Sequence, residues 1–480
     1  MDKIFCVDLD GTFIKTDMLI ESFAYHFFRN PLIVFLCLFW LIKGGKVLLK
    51  HNLSIKYNFD AKDIPVNDEV LNLIKEKKSN GYKTYLVSAS IKNIVEKFYV
   101  AYQNIFDGYY SSEIGNVNLS SRNKASLLNK IFGKKNYEYI GNSSDDIEVW
   151  NNSSVSYCFF KSEKLKSKFC TEGLEIVNIC NKLNNRWGGE IKSIIKQLRC
   201  YQWAKNSLIL VPALACGHLL SIDSYIALIT GIVGFSLFAS SVYIINDILD
   251  LANDRAHQTK RNRPLASCNI SIKYAFLILS LLLVIGCLIT LIISFNFFIC
   301  CALYLILNIA YSIKLKSIAI LDCILLSLMY TYRIYIGTII TNLEISTWLI
   351  SFSFFLFLFL AFIKRFAELY KAIGQNKSEI KGRGYSVNDI DILKILSSSS
   401  GLISVLVFNL YLADVSIRSH FNNIWFAYAC IPILIYWVCY FLLTASRGKM
   451  NEDPVSFALQ NRLSLVLGLI FVITFWISIY

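Results

Sequence analysis

Two patterns of apolar and polar positions follow one another along this chain. Beyond about residue 200, long apolar runs alternate with short polar links. Runs at 205–221, 224–245, 273–294, 297–312, 319–339, 347–363, 394–414, 423–444 and 460–479 come near or reach spanning length, which is about 20 residues with about 17 as a floor. They predict an all-α transmembrane bundle of nine helices. The first 200 residues read differently. Short apolar runs at 3–7, 84–87 and 137–140 have strand length, and each ends in Asp, Ser, Gly or Asn. They predict buried strands of a Rossmann-like α/β domain, whose ligands bind beyond the C-terminal ends of the strands. The run 31–42 is too short to span. It fits a buried cap helix, and it equally fits an interfacial helix lying on lipid, flanked by Arg29, Trp40 and Lys43. The expected division is 1–170 for the α/β domain, 171–200 for a linker with a short basic amphipathic helix, and 201–480 for the membrane domain.

Composition agrees with a polytopic membrane protein: 55% hydrophobic and 14% aromatic residues, with a mean hydropathy of +0.49. The net charge of +14 is explained by loops facing anionic lipid and phosphate, and no nucleic-acid module is apparent. Lys192, Lys196, Arg199, Lys205, the 246–272 loop, Lys314, Lys316, the 364–393 loop, Arg447 and Lys449 fall on one side. The opposite links near 222, 295, 342 and 418 hold a single basic residue, Arg418. This asymmetry puts the N-terminus and every chemically interesting loop in the cytoplasm, at the inner membrane. The 14 cysteines lack metal-ligand spacing and read as reduced packing residues. Asp2, Asp8 and Asp10 stand where a cleavable signal would need other residues.

The densest chemistry follows the second run. Asn246-Asp247-x-x-Asp250-x-x-x-Asp254-Arg255 would set its three aspartates on one face of a helix. Grouped carboxylates need a cation, and oxygen-only ligation suits Mg²⁺, which completes its shell with phosphate and water. Lys260, Arg261 and Arg263 follow, cations suited to clamping a diphosphate. A second cluster, Lys364-Arg365-Phe366-Ala367-Glu368, ends the sixth run, with Lys381-Gly382-Arg383-Gly384-Tyr385 beyond it. Lys364 and Glu368 are spaced to pair with each other. Arg333 lies within an apolar run, where a charge faces a cavity, and reads as a ligand for donor or lipid phosphate or as half of a structural ion pair.

The first acidic motif, with Lys260-Arg261-x-Arg263-Pro264-Leu265 after it and Gln202-Trp203-x-Lys205-Asn206 before the first run, resembles the signature of UbiA-type intramembrane prenyltransferases over about 190–480. The resemblance implies nine helices, Mg²⁺ on Asp247, Asp250 and Asp254, and diphosphate on Arg255, Lys260 and Arg263, beside Asn246. Members that prenylate aromatic rings carry a second Asp-x-x-x-Asp; here Lys364, Arg365 and Glu368 stand instead. That departure resembles the branch that moves phosphoribose from phosphoribosyl diphosphate to a polyprenyl phosphate. There the lipid phosphate is the nucleophile, and Lys364 and Arg365 would hold it where an aspartate would repel it. Aromatic prenylation, beside a degenerate phosphatase-like domain, is the alternative.

In the first half, Asp8 and Asp10 follow the strand 3–7, Ser88-Ala89-Ser90 follows 84–87, Lys124 starts a helix, and Asn142, Asp145 and Asp146 follow 137–140. One carboxylate at a strand tip can attack phosphorus while its neighbour protonates the leaving oxygen. These elements, in this order, resemble the haloacid-dehalogenase-like phosphatases over about 1–170. The resemblance implies Asp8 as nucleophile and Asp10 as acid/base. It puts phosphate on Ser88 and Lys124, and Mg²⁺ on Asp8, Asp10 and the 142–146 segment, with Asp146 serving the metal or Lys124. Asn142 replaces the usual aspartate and removes one negative charge; Asp145 could substitute. Joined in one chain, the halves imply two steps: transfer of phosphoribose to polyprenyl phosphate, then removal of the 5-phosphate, with tethering raising the effective concentration.

Overall fold

The structure is a computed structural model that describes residues 3–113, 118–159, 176–178, 186–215, 221–344, 346–374, 383–414, 421–450 and 454–479. Asp2, Lys377, Lys381, Gly382, Arg418 and, in the expected linker, 171–175 and 179–185 lie outside these residues. Two compact units form. One contains 1–199 with 243–281, the other 200–242 with 282–480.

The first unit is built on a parallel sheet. β1 (Ile4–Val7), β2 (Lys83–Ile91), β3 (Gly108–Ser112), β4 (Glu138–Gly141), β5 (Ser156–Cys158) and β6 (Ile176–Asn178) stand in the order β3-β2-β1-β4-β5-β6. β1 is central because both of its faces are apolar. Phe5 and Val7 enter one core with Val70, Leu86 and Phe98, and Cys6 enters the other with Leu128, Tyr139 and Trp150. Strand order reverses around β1, flanked by β2 and β4. The tip of β1 is therefore the switch point where such sheets bind ligands. β2 continues past the expected 84–87 to Ile91, with a register shift between Val87 and Ile91. Ser88 and Ser90 sit in that irregular stretch.

Helices α1 (Met18–Phe27), α2 (Ile33–Ile55), α3 (Asp68–Ser79), α4 (Lys92–Ala101), α5 (Arg122–Phe132), α6 (Ile147–Asn152) and α7 (Arg186–Leu198) complete this part of the unit. Asp17 caps α1 by accepting from Leu19 and Ile20 N–H. The Gly44-Gly45 pair is a kink inside α2, with Gly45 at φ 63°. Ahead of the kink α2 exposes Phe35, Leu38, Phe39 and Ile42. That half is not a buried cap helix. At the end of α1, Phe28 stacks on Phe276 with ring centroids 5.4 Å apart.

Among the described residues eight helices are long and apolar enough to cross a membrane: Ile222–Leu249, Ile272–Ile293, Phe295–Ile313, Leu321–Thr341, Thr347–Ile373, Val387–Ala413, Ile424–Ser446 and Arg462–Ile479. All eight coincide with expected runs. The remaining run, 205–221, begins differently: a 3₁₀ helix, Cys200–Leu210, gives way to a short α-helix, Val211–Ala215. Pro212 has no N–H to give to a helix that continues from the preceding turn. The second unit draws its core from Phe359, Ile363, Leu369, Val438 and Phe441 and from Phe235, Phe238, Cys301 and Ile336.

Candidate functional site

At the β1 tip the backbone turns so that Asp8 and Asp10 face one cavity of about 470 Å³, shared with Ser88, Lys124, Asn142, Asp145 and Asp146. Asp8 is buried, with Oδ1 2.8 Å from Lys124 Nζ and Oδ2 accepting from Thr12 at 3.2 Å. Asp10 accepts from Met18 N–H at 2.9 Å and from Ser90 at 2.6 Å. Ser88, expected to bind phosphate, is 3.5 Å from Asp10. Burial raises Asp8 to about 7, with Lys124 pulling down and Asp146 pushing up. Burial and then the Asp17 carboxylate raise Asp10 to about 6, a value suited to passing a proton near neutrality. Burial opposes the charge on Lys124, but Asp8 and Asp146 outweigh it and push its pKa up.

Asp146 is saturated. Its Oδ1 accepts from Tyr139 at 2.6 Å and Lys124 at 3.4 Å. Its Oδ2 accepts from Asn142 N–H and Ser143 N–H at 3.1 Å each, and from the Ser143 hydroxyl at 3.2 Å. Of its two expected duties, metal ligand or support of Lys124, these contacts serve the second. Asn142 lies against Gly11, where an added Cβ would stand 2.1 Å from its Nδ2. Asp8, Asp10 and Asn142 thus offer oxygen donors beside one another, a set that fits a hard cation such as Mg²⁺.

The acidic motif departs from its expected geometry. The helix Ile222–Leu249 ends before Asp250, whose φ of −96° and ψ of 9° are not helical, and a new helix, Leu251–Ala256, follows. The turn is nonetheless carried across the break, since Asp250 N–H donates to Asn246 O at 2.9 Å and Asp254 N–H to Asp250 O at 2.8 Å. Among the described residues no three of His, Cys, Asp and Glu gather as a metal cluster. Asp247 and Asp254, both buried, converge on one nitrogen, Arg263 Nη1, at 3.1 and 2.6 Å. Asp247 also accepts from Gln197 at 2.8 Å and from Arg199. Burial, against the pull of Arg263, raises Asp254 to about 6. Two carboxylates already closing on one cation fit Mg²⁺ in the mode that takes its other ligands from phosphate and water. Asn246, Asp250 and Lys260 stand partly buried around them.

Arg255, expected on diphosphate, is engaged elsewhere. Its Nη1 and Nη2 donate to the two oxygens of Glu21 on α1, at 2.9 and 2.6 Å, and its Nε donates to Ala266 O at 3.1 Å. Both side chains are almost wholly buried, and Arg255 outweighs burial to hold the Glu21 carboxyl below its ordinary range. Glu21 carries no motif; only its burial and this partner mark it.

In the second unit Arg365 is fully buried. It donates to Asp322 and Glu368 at 2.6 Å each and to Tyr311 at 3.3 Å. Tyr385 also donates to Asp322, at 2.5 Å. Arg365 is thus held by acids inside the protein, one of them Glu368 three positions on. Lys364 is partly buried on the same helix. Arg333 is buried: it donates to Asn206 at 3.1 Å, to Met329 O at 3.0 Å and to Tyr304 at 2.8 Å, and lies 4.9 Å from the Tyr330 ring centroid. Asp322, Glu21, Gln197 and Arg199 were not legible as site residues. Each acts through a partner dozens to hundreds of positions away.

A multi-pass membrane bundle, in a chain that also carries a parallel α/β sheet with carboxylates at its switch point, defines the class: a membrane protein of the prenyltransferase type. The pattern of the UbiA prenyltransferase family matches residues 208–466, and the chain belongs to that family. It is similar to the uncharacterized protein y4nM of Sinorhizobium fredii, 33% identical over 96% of this chain and 88% of that one. It is also similar to decaprenyl-phosphate phosphoribosyltransferase of Mycobacterium tuberculosis, 29% identical over 59% of this chain and 93% of that one. Among solved structures, phosphoserine phosphatase in apo form is 18% identical over 37% of this chain and 94% of that one, with a TM-score of 0.28.

Proposed function

We propose that this chain is a bifunctional, Mg²⁺-dependent enzyme of the inner membrane. It would transfer phosphoribose from phosphoribosyl diphosphate to a polyprenyl phosphate and then remove the 5-phosphate of its product on the cytoplasmic side. The observation that carries the reading is the convergence of Asp247 and Asp254 on one cationic nitrogen in a chain similar to decaprenyl-phosphate phosphoribosyltransferase. Those carboxylates would hold Mg²⁺, which supplies charge neutralisation to the leaving diphosphate, and Arg263 and Lys260 would meet the diphosphate itself. An oxygen of the lipid phosphate attacks C1 of the ribose as the C1–O bond to diphosphate breaks. Positioning and charge neutralisation supply most of the rate. Lys364 would meet the lipid phosphate, while Arg365 is held by Asp322 and Glu368.

In the second step Asp8 attacks phosphorus, the ester bond to the ribose oxygen breaks, and Asp10 gives that oxygen its proton. Water then releases phosphate from Asp8, with Asp10 taking the proton back. Lys124, braced by Asp146, offsets the phosphate charge. The test is lipid extraction after incubation with labelled phosphoribosyl diphosphate, polyprenyl phosphate and Mg²⁺. Asp8→Asn is expected to accumulate lipid-linked ribose 5-phosphate where the unaltered chain yields lipid-linked ribose. No label in lipid with these substrates, together with prenylation of a labelled aromatic acid when that acid and a prenyl diphosphate replace them, would reject the proposal.

A further inference from the structure

The cavity at Asp8 is not enclosed by the α/β region alone. Its far wall is formed by Leu265, Cys268, Ile270, Ser271, Ile272 and Lys273, the stretch that follows the acidic motif. All of it lies in the same compact unit as Asp8. The wall is built firmly. Ser267 N–H donates to Arg263 O and Ile270 N–H to Pro264 O, at 2.9 and 3.1 Å, closing a turn in which Cys268 takes a φ of 59°. Arg255 then fastens that turn to α1, since one guanidinium holds both Ala266 O and Glu21. α1 itself lends Leu19 and Ile20 to the cavity.

Two properties of the wall point to a ligand. It is apolar at Leu265, Ile270 and Ile272 and cationic at Lys273, with Lys50 of α2 also lining the cavity. A phosphomonoester bound at Asp8 and Lys124 needs neither. A substrate carrying a second phosphate and a hydrocarbon chain would use both. The wall also runs straight into the span Ile272–Ile293, whose first turns leave Tyr274, Leu277 and Leu281 more than half exposed. The cavity mouth therefore adjoins a surface made for acyl or prenyl chains.

We propose that the Leu265–Lys273 segment is the substrate-selecting wall of the phosphatase-like cavity, and that it selects a phosphomonoester carried on a phosphodiester-linked lipid over a water-soluble one. This rests on the phosphatase reading of the Asp8 site. Lys273 meets the internal phosphodiester, and Leu265 and Ile270 meet the first carbons of the chain. Arg255 is the positioning residue that holds the wall.

The test compares kcat/KM for farnesyl-phosphoryl ribose 5-phosphate in detergent micelles with that for ribose 5-phosphate, using the full chain. The unaltered protein is expected to favour the lipid substrate at least tenfold. Lys273→Ala and Leu265→Ser are each expected to cut that ratio about tenfold, chiefly through KM for the lipid. Lys273 is exposed, so its variant folds even if the buried Leu265 variant does not. A ratio near one in the unaltered protein, or one that Lys273→Ala leaves unchanged, overturns the assignment of the wall. Phosphate release that persists in Asp8→Asn overturns the phosphatase reading beneath it instead.

Discussion

Gly11 shows how tightly a single residue is bound into the carboxylate site. Its φ of 75° favours glycine, and a Cβ there would collide with Asn142. Gly11→Ala is expected to lower phosphate release at least tenfold and stability by about 1–2 kcal/mol, read by steady-state kinetics and thermal unfolding. Asn142 itself lacks the charge of the aspartate usual at that point. Asn142→Asp is expected to lower the Mg²⁺ concentration that half-activates phosphate release by several-fold; an increase would remove residue 142 from the ligand set. Such residues were readable from sequence because their chemistry is local: an aspartate at the tip of an apolar strand has few other uses. Arg255 and Arg365 were not readable in the same way. Their side chains are spent on Glu21 and Asp322, contacts across 234 and 43 positions that no spacing rule anticipates. A guanidinium in a motif therefore reads as a ligand until its carboxylate is seen.

At the scale of elements, the Glu21–Arg255 pair joins α1 to the helix Leu251–Ala256 and the turn behind it. Removing one partner strands a buried charge, so Glu21→Gln is expected to destabilise this unit by about 3–5 kcal/mol, read by denaturant unfolding. Because Arg255 holds the Glu21 carboxyl below its ordinary range, the pair's contribution is complete above the free glutamate value of about 4.3 and is lost only as pH falls through the lower folded value. Unfolding profiles at pH 5 and pH 8 should therefore show the same loss on substitution, and one confined to pH 8 would contradict the pairing. The first half of α2 makes a separate prediction. Its row of exposed Phe35, Leu38, Phe39 and Ile42 has the character of a helix lying in a membrane interface. A spin label at Phe39, in the full chain reconstituted into vesicles, is expected to be reached by oxygen rather than by a water-soluble nickel chelate. The reverse accessibility would put this face in water.

For the whole molecule, the membrane bundle was legible because spanning length is imposed by the bilayer, and eight runs overlap helices of spanning length. The first run is described only as far as Ala215, as a 3₁₀ helix followed by the start of an α-helix. The α/β order was legible for a similar reason: parallel strands buried on both faces leave continuous apolar runs. What the linear order hid is that 243–281 packs with 1–199, so the stretch that follows the acidic motif also lines the cavity at Asp8. The most direct measurement is diphosphate release by the purified full chain in lipid, supplied with phosphoribosyl diphosphate. Release is expected only when polyprenyl phosphate and Mg²⁺ are both present, and is expected to fall at least a hundredfold in Asp247→Asn. Release that ignores the lipid phosphate, or that survives the loss of Asp247, would contradict the account.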